Sequence, residues 1–275
     1  MKTLYVTDLD GTLFDSNGHL SEFSQKALNE LIASGMNFTV ATARSVSSAA
    51  GLLDGLNLKI PAVMMNGVFL TDVPTQKHVY VNQIPKELAE KIIDVFIANG
   101  RPPFVYTFNG EYIETEFTEL KNDYERQFVA KRQKLYRRFE KVDDYTVNGN
   151  TVYINGIDYK DTMQDVADGL MKLDGIKFSH YLDTYSGDKY FVEVYVESAG
   201  KWNSIKRLKK MYGFDRVVAF GDNGNDVEML KNADRAIVVG NAQPIAKQYA
   251  DEVIGTNDND GVAKYLMDLF KRGEL

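Results

Sequence analysis

The chain of 275 residues has no cysteine and only three histidines. Without cysteine it can have neither a disulfide framework nor a zinc site built from thiolates. The histidines (His19, His78 and His180) are scattered and lack the spacing of a metal-binding motif. No apolar run is long enough to span a bilayer, and the amino terminus lacks the layout of a secretory signal. Together these absences predict a cytoplasmic protein.

Positively charged residues are also fewer than negatively charged ones. The chain has 32 Lys and Arg against 39 Asp and Glu, a formal net charge of −7. An acidic surface disfavours nonspecific binding to nucleic acid or to an acidic membrane, so we predict neither partner. The hydrophobic share of 44% and the charged share of 26% are typical of a soluble globular protein, and the length is sufficient for two domains.

A short apolar run near the amino terminus ends on two aspartates. Residues 4–7 predict a buried strand, and Asp8, Asp10 and Gly11 follow it. Strand ends followed by glycine turns are where open α/β sheets place their chemistry. Two clustered carboxylates repel each other, so a divalent cation is the expected partner. A solvated acidic turn is the alternative that these residues alone leave open.

A second acidic segment repeats this design far along the chain. A predicted strand over 217–220 leads through a glycine turn to Asp222 and Asp226, and Asn223 or Asn225 can cap the following helix. The carboxyl ends of parallel strands lie on one edge of a sheet, so the two acidic segments are expected to converge there. Three or four carboxylates at one edge suit Mg²⁺.

Strands and helices alternate in the first third and in the last part of the chain, which predicts right-handed crossovers and a parallel sheet. The intervening residues 84–197 contain paired strands, and Asn109-Gly110 favours a tight primed turn between two of them. The predicted fold class is therefore α/β. It comprises a Rossmann-like parallel-sheet core over 1–83 and 198–275 and an inserted α+β domain over 84–197.

Tyrosines are frequent in the predicted insertion. We expect four of them to lie in its core or on a sheet face, where one or two can face a ligand: Tyr106, Tyr112, Tyr181 and Tyr190.

Four motifs together resemble the haloacid dehalogenase-like phosphatases. They are Asp-Leu-Asp-Gly-Thr-Leu at 8–13, Thr42, Lys201 and Gly-Asp-Asn-Gly-Asn-Asp at 221–226. The last motif continues into Val-Glu-Met-Leu and is similar to the Cof-type branch, whose members carry a large α/β cap between the second and third motifs. The two acidic motifs are specific, whereas Thr42 and Lys201 would be weak evidence alone. The resemblance covers the whole chain in order and spacing.

The resemblance implies hydrolysis of phosphomonoesters through an aspartyl-phosphate. Asp8 would be the nucleophile, and Asp10 would protonate the leaving oxygen and then activate water. Thr42 would donate a hydrogen bond to a phosphoryl oxygen, and Lys201 would offset its charge.

The resemblance also implies a Mg²⁺ ion as cofactor, held by Asp8, the backbone carbonyl of Asp10 and Asp222, with support from Asp226. The ion is needed on physical grounds as well. Two unit charges at about 4 Å repel by roughly 4 kcal/mol at an effective dielectric near 20. That repulsion corresponds to about three powers of ten in rate.

Six residues would bind the phosphate or the rest of the substrate: Thr42, Ala43, Arg44, Asn66, Lys201 and Asn225. Arg44 could bind a substrate phosphate or anchor the second aspartate. Ala43 stands where the family often has glycine, and Trp202 stands where a glycine commonly follows the motif lysine. Neither change removes a reacting group.

The expected substrate is a small phosphorylated metabolite, such as a sugar phosphate, and the protein would be a monomer or a small homo-oligomer. The cap is expected to move as a rigid body about linkers near 82–85 and 197–200. A phosphomutase and a noncatalytic sensor of phosphometabolites remain alternatives. A mutase would isomerise its substrate rather than release phosphate, and a sensor would not need the second carboxylate. A receiver domain is disfavoured because it is about half this length and lacks the insertion.

Overall fold

A computed structural model describes residues 1–134, 137–183 and 187–275. In these ranges the strands are β1 (Thr3–Thr7), β2 (Asn37–Val40), β3 (Ala62–Met64), β4 (Phe69–Asp72), β5 (Lys77–Val81), β6 (Phe104–Phe108), β7 (Ile113–Phe117), β8 (Arg138–Lys141), β9 (Thr151–Tyr159), β10 (Ile176–Leu182), β11 (Lys189–Val196), β12 (Arg216–Gly221), β13 (Arg235–Val238) and β14 (Glu252–Val253). The α-helices are α1 (Glu22–Ala33), α2 (Val46–Ala49), α3 (Lys86–Ala98), α4 (Asp123–Arg132), α5 (Lys160–Leu170), α6 (Lys201–Tyr212), α7 (Val227–Asn232), α8 (Pro244–Lys247) and α9 (Gly261–Lys271).

The first compact unit comprises residues 1–80 and 200–275. Its main sheet has the order β14-β13-β12-β1-β2, and its neighbouring strands are parallel. A parallel bridge between Ala41 and Val63 also joins the chain after β2 to β3. The predicted parallel-sheet core is confirmed. Because these strands are parallel, the carboxyl ends of β1, β2, β3 and β12 share one edge.

Helix α1 shows how the sequence sets the bounds of an element in this unit. The hydroxyl of Ser21 accepts a hydrogen bond from the N–H of Ser24 at 3.0 Å, as expected of a helix N-cap. The helix then buries one stripe of apolar side chains at helical spacing: Ala27, Leu28, Leu31 and Ile32.

The second compact unit comprises residues 81–199. Its sheet has the order β10-β11-β9-β6-β7-β8, in which β7 and β8 are parallel and the other neighbours are antiparallel. Helices α3 and α5 pack their apolar side chains on one face of this sheet. The α+β character predicted for the insertion is confirmed. Its predicted limits were 84 and 197, and its role as a cap stays a prediction.

The hairpin predicted around Asn109-Gly110 is confirmed, because β6 and β7 are antiparallel neighbours, but the tight primed turn predicted at these two residues is wrong. The loop between β6 and β7 spans residues 109–112, and of the two turn residues only Gly110 has a positive φ, +99°. The Asn109 side-chain oxygen instead accepts hydrogen bonds from the N–H groups of Glu111 at 3.0 Å and Tyr112 at 2.9 Å. An asparagine that bonds to nearby backbone in this way stabilises a wider loop than the two-residue turn.

The bounds of other elements differ from those that the sequence alone predicts. Apolar spacing predicts a helix over 45–53 and another over 204–211, just after Lys201, and the charged residues 118–139 predict a partly helical segment. The first is α2 followed by a tighter turn over 50–52, and the second is α6, which begins at Lys201 itself. The charged segment contains α4 and the start of β8, and two of its residues lie outside the described ranges. No helix in the described part of the chain is both long and apolar enough to cross a membrane.

Candidate active site

Asp8 lies directly after β1, where its N–H donates to the carbonyl of Phe220 in β12 at 2.9 Å. Its side chain is buried and accepts a hydrogen bond from Lys201 Nζ at 2.6 Å. Burial raises the pKa of Asp8 well above its usual range; Lys201 lowers it, while Asp226 and Asp222 raise it further. Lys201 is the first residue of α6, so the start of this helix delivers the ammonium group to the end of β1.

Lys201 also donates to Asp226 Oδ1 at 2.6 Å and thus bridges the two acidic motifs. Burial alone would lower the pKa of Lys201, but Asp226 and Asp8 together raise it. The lysine is therefore charged, and it is buried between two carboxylates.

Asp222 and Asp226 follow β12 in a turn. Thr12 donates its hydroxyl to Asp222 Oδ1 at 2.8 Å. Asp226 Oδ2 accepts hydrogen bonds from the N–H groups of Asp222 at 3.1 Å and Asn223 at 3.2 Å. Of the two asparagines considered as caps, Asn223 caps this turn, whereas Asn225 lies exposed in it. The turn therefore fixes Asp226 through its own backbone.

The carboxylates of Asp8, Asp222 and Asp226 form the candidate metal centre. Each offers one oxygen within 4.8 Å of the others. Three buried carboxylates thus lie close to a single ammonium group, that of Lys201. Burial is the main cause and the charge of Asp226 the second cause that raise the pKa of Asp222 to about 6. A divalent cation would neutralise this excess of negative charge, and carboxylate oxygens are ligands that Mg²⁺ prefers. The residues present therefore fit a Mg²⁺ ion.

The side chain of Asp10 has a different partner from that of Asp8. Arg44 donates to it through Nε at 2.7 Å and through Nη2 at 2.6 Å, and half of the Asp10 side chain is exposed. The chain turns sharply at Gly11, whose φ is +79° and where a Cβ would lie 2.6 Å from Asp222 Oδ2. The alternation of a straight strand therefore ends after Asp8. Of the two roles considered for Arg44, the structure shows the contact with the second aspartate.

Thr42 lies beyond the end of β2 and is buried. Its hydroxyl oxygen accepts a hydrogen bond from the N–H of Arg44 at 3.0 Å, and its carbonyl accepts one from the N–H of Asn66 at 2.9 Å. Ala43 is exposed, and its φ is not positive, so this turn does not require the glycine that is common in the family. The turn thus places the predicted phosphate-binding residues beside one another.

Asn66 and Gly67 form a tight turn after β3 with φ values of +51° and +89°. Asn66 is buried, and its Oδ1 has no hydrogen-bond partner among the described residues. Gly67 packs so closely on Gly200 that a Cβ on Gly67 would lie 2.3 Å from the Gly200 carbonyl oxygen. The Gly200 N–H donates to the Asn66 carbonyl at 2.8 Å, and Ser204 Oγ donates to the Gly67 carbonyl at 2.8 Å. The contacts of this turn with Gly200 and Ser204 therefore position Lys201, which lies between them in the chain.

Two supporting residues were absent from the predicted set. Thr12 belongs to the first acidic motif but was assigned no role there. Asn241 follows β13 and donates from Nδ2 to the Gly11 carbonyl at 2.7 Å, while its Oδ1 accepts from the N–H of Asn257 at 3.0 Å. A polar residue directly after a strand of the parallel sheet was the signal that could have identified Asn241.

The site lies at the carboxyl edge of the parallel sheet, where β1 and β12 end side by side. A family model described as haloacid dehalogenase-like hydrolase matches residues 5–266. The chain therefore belongs to the haloacid dehalogenase-like hydrolase family, as its motifs predicted.

Individual relatives match over nearly the whole chain. A putative phosphatase of Streptococcus pyogenes serotype M6 is 25% identical, and the match covers 94% of this chain and 95% of the relative. The 5-amino-6-(5-phospho-D-ribitylamino)uracil phosphatase YitU of Bacillus subtilis is 22% identical and covers 97% of each chain. A solved haloacid dehalogenase-like hydrolase from Bacteroides thetaiotaomicron has a TM-score of 0.78 at 24% identity, covering 98% of this chain and 100% of that one. These matches confirm the predicted family and its Cof-type branch, and the predicted enzyme class agrees with the names of the relatives.

Proposed function

We propose that the protein is a Mg²⁺-dependent phosphatase that hydrolyses small-molecule phosphomonoesters through an aspartyl-phosphate on Asp8. The observation that carries this proposal is the buried contact of Lys201 with both Asp8 and Asp226. It gathers a nucleophile, a cation and a candidate metal centre at one edge of the sheet. The proposal includes a cytoplasmic location and no nucleic-acid or membrane partner.

The proposed substrate is a small phosphorylated metabolite. YitU is named for a small metabolite that carries its phosphate on a ribitylamino group. We take from this relative only the class, a small phosphorylated metabolite, and expect sugar phosphates or related compounds.

Asp8 would react through the carboxylate oxygen that Lys201 does not hold. This oxygen forms a bond to phosphorus while the bond from phosphorus to the alcohol oxygen breaks. Lys201 holds Asp8 in place and carries positive charge close to the phosphoryl oxygens. Water then attacks phosphorus, phosphate leaves, and the Asp8 carboxylate is restored.

Asp10 would act as the general acid in the first step and as the general base in the second. It gives a proton to the departing alcohol oxygen and later takes one from the attacking water. Its half-exposed carboxyl group can exchange protons with solvent, and the two hydrogen bonds from Arg44 fix its orientation.

Thr42 and Asn66 would bind the substrate. The Thr42 hydroxyl oxygen already accepts from the Arg44 N–H, so its single hydrogen can be donated to a phosphoryl oxygen. The side-chain oxygen of Asn66, which has no partner in the described part of the chain, can accept a hydrogen bond from the substrate. Ala43 and Asn225, both exposed, complete the proposed substrate-binding set.

Mg²⁺ would be held by Asp8, Asp222, Asp226 and the backbone carbonyl of Asp10. When bound, the ion supplies positive charge that reduces the repulsion between the anionic nucleophile and the anionic substrate.

Metal removal gives a direct test of this function. We expect phosphate release from a panel of small phosphomonoesters in the presence of Mg²⁺, and a loss of roughly 10³-fold after chelation, as the repulsion between two anions predicts. The measurement is free phosphate, with the alcohol product identified in parallel. Equal release after exhaustive chelation would contradict the metal requirement. An isomerised phosphoester without free phosphate would point to a mutase instead.

The acid–base role predicts the behaviour of Asp10→Asn. We expect its turnover to fall by about 10²–10⁴-fold, because an amide cannot donate or accept the transferred proton. Asn retains an oxygen that can accept from Arg44, so the fold should be unchanged by circular dichroism. The matched control is Asp123→Asn, because Asp123 is also exposed and also accepts two hydrogen bonds from one arginine, Arg126. Turnover within twofold of wild type for Asp10→Asn would refute the role.

A further inference from the structure

The loop that follows β13 contacts both acidic motifs of the candidate active site. We call residues 239–243 the β13 loop. The Asn241 side chain donates from Nδ2 to the Gly11 carbonyl at 2.7 Å, and the Gln243 N–H donates to the Asp222 carbonyl at 2.8 Å. The β13 loop therefore joins the turn after β1 to the turn after β12, although its own residues belong to neither motif.

The orientation of the Asn241 amide is fixed by its two partners. Its Oδ1 accepts a hydrogen bond from the N–H of Asn257 at 3.0 Å, and its Nδ2 donates to a carbonyl. Exchanging the oxygen and the nitrogen would place donor against donor and acceptor against acceptor. Asn257 is itself buried, and its Nδ2 donates to the Phe14 carbonyl at 3.0 Å. One end of the Asn241 amide is thus held by Asn257, and the other end holds Gly11.

The contact with Gly11 reaches Asp222 through one further residue. The Gly11 carbonyl belongs to the peptide that joins Gly11 to Thr12, so a bond to this carbonyl also orients Thr12. The Thr12 hydroxyl donates to Asp222 Oδ1 at 2.8 Å. A continuous series of contacts therefore leads from Asn241 through Thr12 to an oxygen of the candidate metal centre.

The turn at Gly11 packs directly against the Asp222 carboxylate. A Cβ on Gly11 would lie 2.6 Å from Asp222 Oδ2, so a small displacement of the turn changes the space around this oxygen. Glycine adopts the observed φ of +79° freely but adopts many other conformations as readily. The residue that allows the close approach therefore does not hold the turn in place, and the bond from Asn241 does.

We propose that Asn241 is a positioning residue that acts through Thr12 to set the distance between the Gly11 turn and Asp222, and with it the affinity of the candidate metal centre for Mg²⁺. This inference rests on the proposed metal requirement, because Asp222 is taken to be a ligand of the ion. Removal of a group that hydrogen-bonds to a metal ligand typically weakens metal binding by about 10–100-fold. Asn241 acts one residue further away, so the lower end of this range is expected.

The test is Asn241→Ala, with Mg²⁺ binding to the metal-free protein measured by isothermal titration calorimetry. We expect the dissociation constant for Mg²⁺ to rise by about 10-fold. Turnover at a Mg²⁺ concentration near the wild-type dissociation constant should fall. Saturating Mg²⁺ should restore most of it, because the substitution leaves every reacting group in place.

Asn29→Ala is the matched control. Asn29 makes the same pair of contacts in the same compact unit, because its Nδ2 donates to the Gly55 carbonyl at 2.7 Å and its Oδ1 accepts from the N–H of Asn57 at 2.8 Å. These contacts join α1 to the loop before β3 and involve neither acidic motif. Asn29→Ala should change the metal-free melting temperature about as much as Asn241→Ala does, but it should leave the affinity for Mg²⁺ unchanged.

Thr12→Val tests the route from Asn241 to the metal centre. It removes the hydroxyl that donates to Asp222 with little change in shape, and it should weaken Mg²⁺ binding by about 10–100-fold. In the Thr12→Val background, Asn241→Ala should have little further effect, because the step through which Asn241 acts is already lost. Fully additive losses in the double variant would overturn the inference.

The remaining outcomes separate this inference from the proposed function. If wild type binds Mg²⁺ and releases phosphate but Asn241→Ala binds Mg²⁺ equally well, the inference is overturned alone. It is also overturned if Asn29→Ala weakens Mg²⁺ binding as much as Asn241→Ala. If wild type binds Mg²⁺ but hydrolyses no ester, the phosphatase function fails, and the calorimetric comparison still decides the inference. If wild type binds no Mg²⁺, the metal requirement fails and the inference falls with it.

Discussion

Asp8→Asn is expected to lose at least about 10⁴-fold in turnover, the scale seen when a covalent nucleophile is removed. An amide at this position cannot form the acyl phosphate, while its shape still fits the buried site. Its stability without metal is expected to be equal to or greater than that of wild type, since burial already disfavours the charge of Asp8. Phosphate release and thermal unfolding are measured in parallel. Turnover should fall, whereas the melting temperature should stay the same or rise.

The control for this variant is Asp54→Asn, an exposed aspartate in the same unit. It should retain wild-type turnover and stability. A second check is rapid acid quenching during turnover of a phosphoester labelled in its phosphate, because wild type should then carry label on Asp8 and the variant should not. Near-normal turnover of Asp8→Asn, or labelling elsewhere in the chain, would contradict the proposed nucleophile.

Lys201→Met is expected to lose both activity and stability. Methionine nearly preserves the length of the side chain but leaves Asp8 and Asp226 buried without their ammonium partner. Breaking a buried ion pair from one side costs about 3–5 kcal/mol. The melting temperature without metal should then fall by roughly 6–20 °C, and turnover by about 10³-fold, the effect of one uncompensated charge.

A second substitution, at Asp226, separates the effect of lost charge from the effect of lost packing. Adding Asp226→Asn to Lys201→Met removes one of the uncompensated carboxylates, so the double variant should recover part of the lost stability while its turnover stays low. Lys206→Met, at an exposed position of the same helix, should change neither quantity. If Lys201→Met proved as stable as Lys206→Met, the bridge between Asp8 and Asp226 would not contribute to the metal-free fold.

Much of the core followed from short-range patterns in the sequence. The strand β1 and its acidic end were recognisable because a buried parallel strand is a short apolar run, and the same pattern identified β12. Parallel pairing then required Asp8 and Asp222 to lie at the same edge. The burial of one helix face and the cap at Ser21 likewise depend on neighbouring residues only.

Contacts between distant segments could not be predicted in this way. Sequence spacing does not say where a long side chain at the start of a helix points, so the bond of Lys201 to Asp226 was not foreseen. The approach of Gly67 to Gly200 depends on two turns that adjoin only in the folded core. The position of Asn155 opposite Glu193 requires the register of β9 with β11, and the period-2 pattern of each strand does not set that register.

The position of β1 between two neighbouring strands determines the order in which the core can form during synthesis. One neighbour, β2, follows closely in the chain, but the other, β12, is formed by residues 216–221. At about 5–20 residues per second, β1 waits roughly 10–40 s for that partner. Residues 81–199 are contiguous and can collapse in the meantime, whereas the inner edge of β1 stays open to other chains. The strand that carries Asp8 is thus synthesised first and fully paired late, which makes the nascent core a candidate client for chaperones.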